Sequence, residues 1–264
     1  MTTETQVLET TTHMPAPLDV MGVPVVPFET YGQALECIEE KVESQQKSFC
    51  IAMNPIKIYN AWRQPELRNL LRQADMGICD GVGVSVASRI LYGRSIPRIT
   101  GCDLFFRLLG LASRKGWGVY LLGASSQSNT TARLRLQEMY PGLKIVGSQD
   151  GYFEDSQEVV EDINASGARL LFVAMGSPRQ EQWIWRHREE INASLCMGVG
   201  GSFDIASGNI RRAPRFFRMT GTEFLFRFLV EPRKRLSHQG ILLRFLFQVV
   251  RAKLSGGRVR IEWT

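Results

Sequence analysis

The 264-residue chain is 44% hydrophobic and 22% charged, an ordinary globular composition that supports one large domain or a domain with an appendage. Its five cysteines are odd in number and widely spread, with no C-x-x-C or Cys/His cluster, so neither a disulfide framework nor a zinc site is indicated. The net charge of +6 is uneven: residues 209–264 hold 13 Lys/Arg against three acids, while the rest of the chain is mildly acidic, a pattern that points to an anionic partner.

Residues 1–20 are Thr-rich and polar, lack the basic start and apolar core of a signal peptide, and read as a disordered leader. No uninterrupted apolar run reaches the ~18–20 residues of a spanning helix. Short strands are expected at 23–26, 48–53, 76–80, 119–123, 144–147, 170–175 and 195–199. Helices are expected at 31–46, 56–73 (interrupted near Pro65), 82–91, 103–115, 129–140, 156–165 and 179–191. Buried-type strands alternating with amphipathic helices predict an α/β, Rossmann-like domain over 21–208, with a mostly parallel sheet and helices on both faces. Past Arg211-Arg212-Ala213-Pro214 only helical, aromatic-rich and Arg-rich segments follow, so 209–264 reads as a helical appendage.

Ile78-Cys79-Asp80-Gly81-Val82-Gly83 is the stretch on which function turns. A strand ends on a lone carboxylate, and two glycines let the backbone turn before a helix. Such a residue caps a helix in the plain case, and takes a proton if the strand end lines a ligand site. Five other strand ends carry polar groups among glycines: Asn54, Gly123-Ala124-Ser125, Gln149-Asp150, Gly176 with Gln180 and Glu181, and Gly200-Gly201. In a doubly wound sheet these gather on one edge, where helix N-termini suit phosphates. Arg98 is either a surface charge or a bidentate clamp on a diphosphate. Glu181 can complete a helix N-terminus, and the Gln180 amide can read sugar hydroxyls. His187 reads as a surface residue, and no Ser-His-Asp arrangement can be built.

Neither Gly81-Val82-Gly83 nor Gly198-Val199-Gly200 has the third glycine of the dinucleotide fingerprint, and no Walker A sequence occurs, so no cofactor is expected. No Asp-x-Asp pair is present to hold a metal on a nucleotide diphosphate, which favours metal-free chemistry. The tail admits three readings. A membrane-surface element, with apolar faces in the headgroup boundary and arginines on anionic lipid, matches best. Packing on the core comes next, and a nucleic-acid surface would carry less Phe and Leu.

Asp80-Gly81-Val82-Gly83, Pro97-Arg98-Ile99-Thr100-Gly101, Gly147-Ser148-Gln149-Asp150-Gly151-Tyr152-Phe153, the run VAMGSPRQE, the run MGVGGSFD and Arg211-Arg212-Ala213-Pro214 occur in the order of the WecG/TagA/CpsF glycosyltransferase family. The chain resembles that family over nearly its whole length, and looks closest to the WecG-like UDP-N-acetyl-mannosaminuronic acid transferases. The resemblance implies inverting, metal-independent transfer from a UDP-sugar donor to a polyprenyl-diphosphate-linked saccharide acceptor at the cytoplasmic membrane face. It implies Asp80 as general base, Arg98 and Gln180 in the active site, and Arg211, Arg212, Arg227 and Arg233 as candidates for the donor phosphates. Where many members have Thr-Pro-Asn, this chain has Ala52-Met53-Asn54, a departure that bears on donor and acceptor identity. A UDP-glucose-type hexosyltransferase is the nearest rival, and a non-catalytic UDP-sugar or lipid-binding regulator the rival of another class. No nucleic-acid partner is expected, and homo-oligomerisation is left open.

Overall fold

The structure, a computed structural model, describes residues 14–255 apart from 215, 218, 219 and 231; the side chains of 224, 225, 227, 228 and 232–239 also lie outside the described part. In chain order the first half comprises β1 (Leu18–Val20), β2 (Val23–Val25), α1 (Tyr31–Glu43), β3 (Ser48–Met53), α2 (Pro55–Arg63), α3 (Pro65–Arg72), β4 (Met76–Cys79), α4 (Val82–Tyr92) and α5 (Gly101–Lys115). There follow β5 (Gly118–Gly123), α6 (Ser126–Met139), β6 (Lys144–Gln149), α7 (Ser156–Ala165), β7 (Leu170–Ala174), α8 (Arg179–His187), β8 (Leu195–Gly198) and α9 (Ser202–Ala206). The tail supplies α10 (Glu223–Val230) and α11 (Pro232–Leu254).

Six strands form one sheet in the order β4-β3-β8-β7-β5-β6, and every pairing in it is parallel. Strands β3, β4, β7 and β8 are buried at every position, as continuous apolar runs with cover on both faces must be. Alternation along β3 shows the two faces. Phe49, Ile51 and Met53 join a core with residues of α2, α3, α4, α7 and α8, whereas Cys50 and Ala52 join a second core with residues of α1, α5, α6 and α9. Parallel pairing throughout brings all six carboxyl ends to one edge, as the strand-end pattern predicts.

Two departures from the sequence reading concern the ends. Leu18–Val20 belongs to no leader: it pairs antiparallel with Val23–Val25 around a Met21-Gly22 turn, in which the Gly22 N–H donates to Asp19 Oδ1 at 2.6 Å. The chain there lies against the sheet edge, Val26 bridging in parallel to Ile78. The rest of the expected leader, residues 1–13, lies outside the described residues. At the other end, α11 packs against α2 and α4 and sinks Phe245, Val249 and Ala252 into the first core. Packing on the core therefore accounts for one face of the tail. Leu243, Phe247, Val250 and Leu254 stay exposed on it.

Candidate active site

Asp80 follows β4 directly, its N–H bonded to Met53 O at 2.9 Å, and the carboxylate-bearing residue is half-buried. Gly81 then turns the chain with φ +110°, a region that favours glycine. Gly81 itself is the N-cap of α4, so Asp80 stands one residue before the cap position. Close approach explains the next glycine. A Cβ on Gly83 would stand 2.5 Å from Pro55 Cγ at the start of α2.

The 95–100 turn is fastened to the same strand end, the Ile99 N–H donating to Cys79 O at 2.9 Å. That places Arg98 beside the Asp80 strand end rather than loose on the surface. Burial, helped by Asp80 and opposed by Arg98, pushes the Cys79 thiol up to about 12. Arg98 Nη1 donates to Glu223 Oε1 at 3.1 Å. Thr100 caps α5, its Oγ1 accepting from the Asp103 N–H at 3.2 Å and donating to Asp103 Oδ2 at 2.9 Å.

The β7 and β8 ends are joined through α8. Gln180 is buried, with Oε1 accepting from the Gly200 N–H at 3.0 Å and Nε2 donating to Glu181 Oε1 at 2.9 Å. Both ends of the amide are thus engaged by the protein itself, one bond at each. Glu181 is 0% exposed and forms an ion pair with Lys57 of α2 at 2.7 Å. It lies in the first turn of α8, and its carboxylate receives that lysine. Gly176 and Gly200 take positive φ of 76° and 52°, and Gly201 is the N-cap of α9.

The β5 and β6 ends are drawn together by a buried amide. Asn129 Nδ2 donates to the carbonyls of Leu121 at 3.2 Å, Gly123 at 2.9 Å and Gln149 at 3.0 Å. Gly123 has φ +117° and lies against the Ala174 backbone, which a Cβ would approach to 2.6 Å. Asp150 Oδ1 accepts the Tyr152 N–H at 2.9 Å, shaping a turn, and Arg179 Nη2 donates to Gly151 O at 3.0 Å from the start of α8. Asn54 in turn caps α2, accepting the Lys57 N–H at 2.9 Å.

A family model, the Glycosyl transferase WecG/TagA/CpsF family, matches residues 18–259. The chain belongs to the WecG/TagA/CpsF glycosyltransferase family. It is accordingly a glycosyltransferase of cell-surface polysaccharide synthesis, acting on a sugar donor and an acceptor. The match begins at the first residue of β1 and takes in α10 and α11. For this WecG/TagA/CpsF member, no group of three or more His, Cys, Asp or Glu is gathered as for a metal ion among the described residues. No described helix is long and apolar enough to cross a membrane.

Among the arginines named from the WecG/TagA/CpsF resemblance, Arg212 donates through Nη2 to Asp103 Oδ1 and lies 5.3 Å from the Phe106 ring centroid, anchoring the start of the tail to α5. Arg211 is exposed. Arg227 lies on α10 and Arg233 on α11, and their side chains fall outside the described part. His187 is buried against Trp183, with ring centroids 5.0 Å apart, not on the surface. Lys57 and Asn129 escaped the sequence reading, each sitting unmarked in a helical pattern.

Proposed function

We propose that this protein transfers N-acetyl-mannosamine or its uronate, with inversion, from a UDP donor to a polyprenyl-diphosphate-linked saccharide on the cytoplasmic face of the membrane. The observation that carries the reading is the position of Asp80: the end of a buried parallel strand, outside the helix cap, with Arg98 fastened to the same strand end. Asp80 accepts the proton of the acceptor hydroxyl as its oxygen attacks the anomeric carbon. The bond from that carbon to the UDP oxygen breaks, and the charge passes to the diphosphate. Arg98, Arg211 and the N-termini of α4 and α8, with Gly81 and Pro178 as their N-caps, stabilise the charge, with no metal required.

Membrane contact falls to α11. Leu243, Phe247, Val250 and Leu254 recur at helical spacing on one exposed face, with Arg244 and Arg251 exposed beside them. A face of that kind enters the headgroup boundary while arginines meet anionic lipid. Asp80→Asn in the purified protein is the test. Transfer is expected to fall by about 10²–10⁴-fold with the fold intact, the range for losing a general base. Turnover near that of the wild type would remove Asp80 from the role.

A further inference from the structure

The ion pair of Lys57 and Glu181 lies between α2 and α8 with both side chains almost wholly buried, 4% and 1% exposed. Buried pairs of this kind are poor stabilisers, because leaving water costs about as much as the attraction returns. This one is also incompletely satisfied, Glu181 Oε2 having no hydrogen-bond partner. What the pair does control is a neighbouring amide. Gln180 presents an oxygen and a nitrogen of nearly the same shape, and only its partners decide which end faces which way. An ionised carboxylate accepts only, so Nε2 must turn to Glu181, and Oε1 is left facing the Gly200 N–H.

The space around the amide is close-fitted. A Cβ on Gly198, at the end of β8, would stand 2.4 Å from Gln180 Nε2. β8 lies between β3 and β7 in the middle of the sheet, so the Gly200-Gly201 turn sits at the centre of the edge where the six strands end. Gly200 takes φ +52°, and its N–H is the group the Gln180 oxygen receives.

We propose that Lys57 and Glu181 are positioning residues: as a charged pair they fix the orientation of the Gln180 amide, and through it the Gly200-Gly201 turn against which the sugar donor binds. The link to the donor rests on the reading of this edge as the transfer site. Neither residue touches the reacting atoms. In a neutral pair, a glutamine at 181 can offer either its oxygen or its nitrogen to Gln180, and the Gly200 N–H is left as the one partner that sets which way the amide faces.

Lys57→Met/Glu181→Gln removes both charges at little change in shape, and Glu181→Gln alone leaves the lysine unpaired. Two readouts are compared with the wild type: hydrogen exchange at the Gly200 amide, followed by NMR, and the kinetics with a UDP-sugar donor. The double variant is expected to melt near the wild type while Gly200 exchanges at least about tenfold faster, as for an amide that has lost its acceptor. Its KM for the donor rises about tenfold with kcat within about threefold, the pattern of lost binding rather than lost chemistry. Glu181→Gln is expected to show the same exchange at Gly200 together with a lower melting temperature.

A pair with a purely structural role predicts otherwise: once the double variant recovers its melting temperature, Gly200 protection and KM recover too. Unchanged Gly200 exchange overturns the proposal whatever the protein transfers. Faster exchange with an unaltered donor KM overturns the link to binding. A wild type that releases no UDP from any donor counts against the transfer reading alone, and the exchange comparison still decides whether the pair holds the turn.

Discussion

Arg98 Nη1 and Glu223 Oε1 lie 3.1 Å apart, joining the turn before α5 to the first residue of α10 across 125 positions of sequence. Both side chains are about four-fifths buried. Gly221 lies beside them, where a Cβ would be 3.9 Å from Arg98 Nε and 3.5 Å from Val82 Cβ. The tail therefore covers the strand end that carries Asp80, and the guanidinium proposed for the donor diphosphate is held meanwhile by a carboxylate.

Glu223→Gln should loosen that cover. A partly buried pair of this kind is worth about 1 kcal/mol, so opening of the tail should become about fivefold more frequent. Hydrogen exchange in residues 220–230 measures it. Unchanged exchange there would mean the pair does not hold α10 down.

The two faces of α11 should separate in mutation. Phe245 is buried, and Phe245→Ala should cost about 3–5 kcal/mol of stability, the range for emptying an aromatic core site. Phe247, two residues on, is 65% exposed. Phe247→Asp should leave stability within about 0.5 kcal/mol of the wild type and weaken co-sedimentation with phosphatidylglycerol vesicles about tenfold, from the lost apolar contact. Equal vesicle binding by both proteins would take Phe247 out of the membrane face.

The contrast between those faces marks what sequence could and could not tell. Continuous apolar runs such as Leu170–Ala174 announced buried parallel strands, and parallel pairing then gathers Asp80, Gln149, Gly176 and Gly200 on one edge. Local chemistry was legible because it is local: the break expected near Pro65 falls there, α2 ending at Arg63 and α3 starting at Pro65. The pair of Lys57 and Glu181 was not, since 124 positions separate its members and neither departs from its helical pattern. Burial of His187 also depends on what packs opposite. In the tail, the sequence showed helical segments rich in aromatics and arginine without showing that Phe245 and Val249 have a partner in α2 and α4. The three-residue strand Leu18–Val20 is too short for alternation to register.

Gly123 is expected to tolerate no side chain. It combines φ +117° with the Ala174 backbone at 2.6 Å from a would-be Cβ. Backbone strain and overpacking of about 1–3 kcal/mol each should lower the melting temperature of Gly123→Ala by about 5–10 °C. Thermal unfolding followed by circular dichroism checks this, and a shift under about 2 °C would contradict it.

Three thiols are expected to be silent in the folded protein. Burial pushes Cys50, Cys79 and Cys196 up from 9.0 to about 12, so at pH 8 they stay neutral and enclosed. Native alkylation should therefore mark the half-buried Cys102 first, and these three only after unfolding. The folded state favours the protonated thiol. Its contribution is complete below 9.0 and is lost as pH rises toward about 12, so the denaturation midpoint should fall across that window. Peptide mapping after native labelling, and denaturant melts across that pH window, measure the two effects. Native labelling of Cys79 as fast as Cys102 would contradict the first.

The central claim is transfer of a sugar from UDP to a lipid-linked saccharide, and UDP release tests it most directly. UDP-N-acetyl-mannosamine, its uronate and UDP-glucose are each mixed with detergent-solubilised polyprenyl-diphosphate-linked GlcNAc or glucose, in the presence of EDTA. The account predicts that one of the two mannosamine donors releases UDP, only when acceptor is present, and that Asp80→Asn does not. Measurable binding of a UDP-sugar with no UDP released from any donor would contradict it, and would make the protein a binder on a glycosyltransferase fold.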